Sequence, residues 1–471
     1  MLPFVVLFPF AAAALGFLPL GHRSRTGLLV GASLVHSAAV VWLWSHPPAA
    51  ILGDVLHLDA LGLLVLSVVS GVNAVVALYA PVYLARKGHG LTGTYAGCVL
   101  ALLGAMSLGA STRHFGILWV AVEASTLASA PLISHRITAH KLEATWKYLV
   151  LCSVGEALAL LGTFFLGLGA TGGDEPVAEL SVSALTAVAP HMAPAWLRAA
   201  MVLLAVGYGT KMGLAPFHSW VPDAYAEAPS PASALLSGAL SNVAFLGILR
   251  VLPVARAGGQ GAFAEHLLLV LGFASLALAA GLVLRQADFK RMLAYSSIEN
   301  YGILALGVGL GGLGTYGALL HAVNHALAKT LLFLAAGNLL VFCGTRSVAK
   351  LQGVARRAPF TAALLSAGFL AIVGTPPFGP FWSELTVFRA ALERPWAAVA
   401  FLALLGIVFV GMAQIVLSAL HGRSPDDEGV RESWSLVAPP AVLAVALLGI
   451  GLVVPGPLHR LLEAAARSLG G

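Results

Sequence analysis

Along this chain, apolar runs of about 18 to 25 residues alternate with short polar breaks, the length that about 30 Å of hydrocarbon demands of a helix rising 1.5 Å per residue. Marking the breaks predicts an all-α integral membrane protein of about fourteen transmembrane helices. Two of the predicted spans are interrupted. The seventh runs into LAPFHSWVPDAYAEAPSP, where Pro216, Pro222, Pro229 and Pro231 supply no backbone donor, and the twelfth contains AIVGTPPFGPFWSE, with Pro376, Pro377 and Pro380 beside Gly374 and Gly379. Broken backbone at membrane depth is tolerated only where protein buries it or it lines a cavity. The breaks lie roughly five spans apart, which predicts two inverted five-helix repeats with broken helices 7 and 12, the arrangement in which transporters gather their sites. The expected division is an N-terminal three-helix segment over 1–92, a first repeat over 93–256, a second over 257–421, and a last helix with its tail over 422–471. After the last span, Pro457 to Leu469 predicts a short interfacial helix with Leu458, Leu461 and Leu462 on one side.

Lys and Arg concentrate in alternate loops (Arg23 and Arg25; Arg86 and Lys87; Arg136, Lys141 and Lys147; Arg285, Lys290 and Arg291; Arg346, Lys350, Arg356 and Arg357; Arg423 and Arg431). By the positive-inside rule these loops face the cytoplasm, and both termini of a multi-pass inner (cytoplasmic) membrane protein lie on the outer face. The net charge of +6 is then a matter of topology, and a nucleic-acid role is not indicated. The first run has no basic stretch before it and no small-residue cleavage site, and reads as a retained helix. Composition agrees with a bilayer as solvent, at 59% hydrophobic and 10% charged residues. Cys98, Cys152 and Cys343 are far apart, without spacing for a disulfide framework, a metal or an iron–sulfur site.

In such a chain an ionisable residue within a span is a functional candidate by default, because a charge at the bilayer centre costs about 2.5 to 3.5 kcal/mol on insertion scales. Lys211 stands at the inner edge of the first break and Glu123 in the fifth span; such a pair can alternate between a charged, locked state and a neutral one that passes a proton. A permanent ion pair that only fixes helix packing is the competing reading. His321, His325 and Lys329 follow the spacing i, i+4, i+8 in LLHAVNHALAKTLLF, which puts them on one helix face over about 12 Å of rise. Imidazoles suit a proton chain; a metal would need a third ligand that is not nearby in sequence. Glu384 follows the second break, at the place that the repeat makes equivalent to Lys211, or else caps a helix at the membrane surface. Glu156, mid-span and with no evident partner, is either a third relay group or a protonated packing residue. His218 sits in the first break as a further relay candidate, with Asp223 and Glu227 toward the aqueous mouth, and Lys290 and Arg291 read as topology anchors.

Four stretches, TKMGLAPFHSWVPDAYAEAPSPASALLSG, DFKRMLAYSSIENYGILALG, HAVNHALAKTLLFLAAGN and GTPPFGPFWSE, occur in this order. Over residues 95 to 420 the chain resembles the antiporter-like, proton-translocating membrane subunits of respiratory complex I, of membrane-bound hydrogenases and of multisubunit cation/proton antiporters. Within these, GYGTK, LAYSSIE, NHALAK and PPFGPFWSE are most similar to hydrogenase 4 component F and formate hydrogenlyase-type subunits. The resemblance implies the fourteen-helix, inverted-repeat fold. It also implies a relay of Glu123 and Lys211, then His321, His325 and Lys329, then Glu384. It implies no cofactor on this chain, with electrons carried by a peripheral redox arm held through other membrane subunits of an oxidoreductase complex, and H+ or Na+ as the ion moved. Asn242 stands where many relatives carry a lysine or histidine, and Asn300 where several carry a histidine, so the step from Lys211 to the central axis is expected to run through Asn242 and water or to conduct poorly. An antiporter subunit without a redox partner and a non-conducting structural subunit are the alternatives.

Overall fold

A computed structural model describes residues 1–171, 179–421 and 430–470; Arg423 of the predicted basic loops lies outside the described residues. The described residues are helical throughout, with only isolated bridges between extended residues. In chain order the helices are α1 (Leu2–Phe17), α2 (His22–Ser45), α3 (Ala60–Arg86), α4 (Gly93–Ala110), α5 (Phe115–Ile133), α6 (Ala139–Ala170), α7 (Val182–Val188), α8 (Pro194–Met212), α9 (Trp220–Glu227), α10 (Ser230–Leu235), α11 (Ser241–Ala257), α12 (Gly261–Val283), α13 (Phe289–Leu310), α14 (Gly312–Phe342), α15 (Val354–Arg357), α16 (Pro359–Ile372), α17 (Gly379–Ala391), α18 (Pro395–His421), α19 (Trp434–Leu452) and α20 (Gly456–Ser468). Among the described residues, ten helices are long and apolar enough to cross a membrane, α10 and α11 counting as one, and α1 and α16 are shorter apolar helices.

Sequence signals explain where several helices begin. Asp59 accepts from Gly62 N at 2.8 Å to start α3, Thr92 caps α4 through Tyr95 N at 3.1 Å, and Asp288 takes both Lys290 N (2.8 Å) and Arg291 N (3.1 Å) to start α13. α10 and α11 are joined by a π-helical turn, Leu236–Leu240, in a segment where every residue is buried; π-turns of this kind recur at functional sites. α13 and α14 pack on this central segment or on each other, while α18 and α19 turn residues such as Val399, Leu402, Val442 and Val445 outward, as a lipid-facing rim requires.

Both predicted interruptions are present. α8 stops at Met212, Gly213 takes φ +95°, and helix resumes at Trp220; α16 stops at Ile372, Gly374 takes φ +65°, and α17 begins at Gly379. Positive φ strains any residue with a Cβ, which is why glycine stands first after each helix end or next to it. The terminal helix α20 is less of a surface anchor than its sequence suggests: Leu462, Ala465 and Ala466 are buried, and it packs on α3 and α14.

Candidate functional site: a buried polar axis

The site begins with how closely α6 and α8 approach. On α6, Gly155 and Gly162 face α8; a Cβ on Gly155 would lie 2.7 Å from Thr210 Cβ, and one on Gly207 would lie 2.5 Å from the Gly155 carbonyl oxygen. Small residues at such a crossing let backbones meet. Glu156 follows Gly155 and Lys211 follows Thr210, so the same crossing brings the two ionisable groups together. Gly207→Ala must therefore push the helices apart, and is expected to lower stability by about 1–3 kcal/mol, read as a lower thermal midpoint of the detergent-solubilised protein.

Lys211, 1% exposed, has its Nζ 3.4 Å from Glu156 Oε1, donates to Tyr148 OH at 2.8 Å and to Thr126 Oγ1, and lies over the Tyr148 ring. Thr126 in turn donates to Glu156 Oε1 at 2.7 Å, and Ser129 shares a 2.6 Å bond with Tyr148. The sequence-based pairing of Lys211 with Glu123 is corrected here: the ion-pair partner is Glu156, and Glu123, half-buried one turn before Thr126, meets Glu156 instead. Glu123 Oε2 and Glu156 Oε2 are both buried oxygens without a donor among the described residues. Two neighbouring carboxylates repel one another, so the pair offers a place for an incoming proton beside the Lys211 ammonium.

The second cluster lies on α14. His321 bonds Asn300 Oδ1 through Nε2 and Ser383 Oγ through Nδ1, each at 3.0 Å. Asn300 donates its amide to Ser296 O at 2.7 Å, which leaves its oxygen to accept from His321 Nε2–H. The Ser383 hydroxyl has two acceptors in reach, Pro380 O at 2.9 Å and His321 Nδ1. With His321 neutral the hydroxyl donates to the ring; with His321 charged, Nδ1–H donates to Ser383, which turns to Pro380. One hydroxyl rotation thus accompanies one protonation. His325 stacks 6.4 Å from His321 and edge-on to Tyr301 at 5.1 Å, with neither ring nitrogen partnered among the described residues. Lys329, fully buried, donates to Leu293 O at 3.0 Å and is in the field of Glu299 on α13.

Between the clusters stand aromatic rings. Trp220 packs 5.0 Å from Tyr148 and 5.8 Å from Tyr225, and Tyr225 OH meets Tyr301 OH at 3.0 Å; Tyr301 OH reaches Ser237 Oγ at 3.4 Å, and Ser237 bonds Ser297 at 2.9 Å. Asn242, through which the resemblance expects the step from Lys211 to run with water, is buried at the start of α11. Its Nδ2 donates to Gly238 O, 2.8 Å away in the π-turn that precedes it, which uses one of its two N–H donors.

Three other expectations are corrected. His218 is partly exposed and, among the described residues, bonds only the nearby Pro216 carbonyl at 3.2 Å, off the buried axis, because the break turns it toward the surface. Glu384 is not equivalent to Lys211: Lys211 closes the helix before its break, whereas Glu384 stands on the helix after its own and points back, so that a Cβ on Gly374 would lie 2.0 Å from its Oε2. Lys290 is buried, its ammonium donating to Ala226 O at 3.2 Å and Ala228 O at 2.5 Å across the first break. Asp223, by contrast, does lie toward the surface, paired with Lys147 (3.0 Å) and Arg291 (2.9 Å).

Residues 113–410 match the model of the family described as NADH:quinone oxidoreductase/Mrp antiporter, TM. The chain belongs to this family. A relative named hydrogenase-4 component F homolog, from Methylacidiphilum infernorum, is 34% identical over 89% of this chain and 90% of its own. NADH-quinone oxidoreductase subunit N of Desulforudis audaxviator is 32% identical over 84% and 80%. Among solved structures, a chain of respiratory complex I from Thermus thermophilus superposes with a TM-score of 0.85 at 25% identity, covering 100% of both chains, and one from an archaeal membrane-bound sulfane sulfur reductase with 0.90 at 24% identity, covering 99% and 97%. The subfamily resemblance drawn from the four stretches agrees with these relatives.

Sequence reasoning missed Glu299. It is 5% exposed, within hydrogen-bond reach of Ser296 and Asn300, and lies in the quoted LAYSSIE stretch, where the rule that singled out Glu156 would have found it. Tyr225, Tyr301, Ser237 and Ser297 carried no such signal, since an uncharged hydroxyl in a span is ordinary. Among the described residues, no group of three or more His, Cys, Asp or Glu side chains is arranged for a metal ion.

Proposed function

We propose that this chain is a proton-translocating membrane subunit of a redox-driven complex, spanning the cytoplasmic membrane fourteen times as two inverted five-helix repeats with both termini outside. Electrons pass through a peripheral arm carried by partner chains, and this chain holds no redox cofactor. The observation that carries the reading is the Lys211–Glu156–Glu123 cluster, an ammonium and two carboxyl groups buried together at a helix break. A permanent pair needs one acid; the second provides somewhere for a proton to go.

In this reading Lys211 and Glu156 hold each other charged until a proton enters the carboxyl pair from Glu123. Once Glu156 is neutral, Lys211 has lost its counter-charge and releases its proton through Tyr148 or Thr126, the hydroxyls it already contacts. The central axis takes the proton at His325, His321 and Lys329, with Asn300, Ser383 and Glu299 setting ring orientation and charge, and Glu384 discharges the second half. Tyr225 and Tyr301 form the hydroxyl link between halves, with Trp220 as the apolar barrier beside it. Moving one charge against 100 mV costs about 2.3 kcal/mol, within reach of a few coupled protonation changes of a few kcal/mol each.

The family also includes Mrp antiporters, which makes a cation/proton antiporter without a redox partner the second reading. Affinity purification of the tagged chain from host membranes in mild detergent separates the two. Partner chains carrying iron–sulfur or flavin absorbance are expected; membrane subunits alone, without a redox chromophore, would move the assignment to the antiporter class.

A further inference from the structure

The face that carries most of the Lys and Arg contains a cavity of about 380 Å³ where the ends of α3 and α14, the start of α6, the loop after α5 and the residues between α9 and α10 converge. Lys87, Lys141, Lys290 and Arg346 line it, against one lining carboxylate, Glu227. Arg346 already answers that carboxylate at 2.5 Å, and Asp288, behind the wall, at 2.7 Å. Among the described residues, Lys87, Lys141 and Lys290 have no ion-pair partner. Their ammonium groups donate to carbonyls, Lys87 to Leu340 O at 3.3 Å and Lys141 to His135 O at 2.8 Å, so donors remain on each. This contrasts with the neighbouring surface cavity, where Lys147 and Arg291 are both paired with Asp223.

Two further donors point the same way. His89 Nδ1 and His135 Nε2, on lining residues, are buried ring nitrogens with no partner among the described residues. Burial is the main reason that the His135 imidazole is held down to about 4, with the charges of Lys141, His89 and Arg136 adding to it. Tyr83, Leu84 and Leu340 add an apolar wall. A cluster of unpaired cations around a concavity is costly unless an anion is at hand, and basic pockets between transmembrane helices are the form in which membrane proteins hold anionic headgroups.

We propose that this cavity is a binding site for a phosphate-bearing anion, held by Lys87, Lys141 and Lys290 with His89 and His135 as additional donors. The bound anion ties α3, α6, α13 and α14 together on one face, next to the α9–α10 connection whose carbonyls Lys290 already holds. The chemistry is shared by the headgroup of an anionic phospholipid and by free phosphate, and the site is independent of the proton relay.

The test uses the complex containing the full chain, delipidated in non-ionic detergent, with retention of radiolabelled phosphatidylglycerol, phosphatidylcholine or inorganic phosphate measured after gel filtration. The parent is expected to retain one equivalent more of phosphatidylglycerol or of inorganic phosphate than Lys87→Gln/Lys141→Gln, with affinity at that site weakened more than tenfold, and no difference for phosphatidylcholine. A difference with phosphatidylglycerol alone identifies a lipid headgroup; a difference with inorganic phosphate identifies the free anion. Lys87→Arg/Lys141→Arg, which keeps both charges, and Lys350→Gln, exposed on the same face outside the cavity, are expected to retain the label like the parent. Equal retention of both anions by the parent and the Gln variants, single or double, would overturn the site, as would equal loss in Lys350→Gln.

Discussion

Lys329→Met is expected to lower proton uptake by more than tenfold at unchanged complex abundance, with electron transfer slowed in step. Lys329 is fully buried on α14, among the described residues it has no carboxylate in ion-pair contact, and its ammonium rests on the Leu293 carbonyl within the field of Glu299. Its proton and a proton on His325 or His321 repel one another, so the axis holds one more readily than two. That repulsion drives a proton onward. Methionine fills a similar volume without charge, so the helix packing is kept while the drive is lost; a tenfold effect corresponds to only about 1.4 kcal/mol of barrier. Proton uptake is followed by dye quenching in inverted vesicles. Wild-type uptake in this variant would remove Lys329 from the path.

Glu156→Gln is the second large effect, in stability as well as transport. Lys211 and Glu156 are 0% and 1% exposed at their side chains, and removing one partner of a buried pair costs about 3–5 kcal/mol because the other charge is left uncompensated. The Lys211→Met/Glu156→Gln double variant removes both charges and is expected to recover much of the lost thermal stability, while transport stays abolished. Glu123→Gln leaves the ion pair in place and is expected to cost less stability than Glu156→Gln. A greater loss for Glu123→Gln than for Glu156→Gln, with no recovery in the double variant, would return the pairing to Glu123.

Much of this was legible from local chemistry. Proline and glycine at high density stop a helix whatever surrounds them, so the interruptions at Gly213 and Gly374 followed from composition alone. The His321, His325 and Lys329 face followed from helical period. What the sequence does not carry is which helices touch. Sequence reasoning pairs Lys211 with Glu123 and leaves Glu156 without a partner, whereas the fold chooses Glu156 because Gly155 and Gly207 let α6 and α8 approach. Asn242 entered only through the resemblance, and nothing in the residue pattern signals the π-turn that takes one of its amide hydrogens. The Tyr225–Tyr301 contact joins residues 76 apart on different helices, and only the fold brings them together.

The central claim is that the buried cluster at the first break gates a proton path. The most direct measurement is redox-driven proton uptake into inverted membrane vesicles of the host, comparing the parent with Lys211→Met at matched complex abundance. The account predicts that uptake is lost and electron transfer slows with it, because Lys211 is the group that both Glu156 and the Tyr148 and Thr126 hydroxyls engage. Unchanged uptake in Lys211→Met would contradict it.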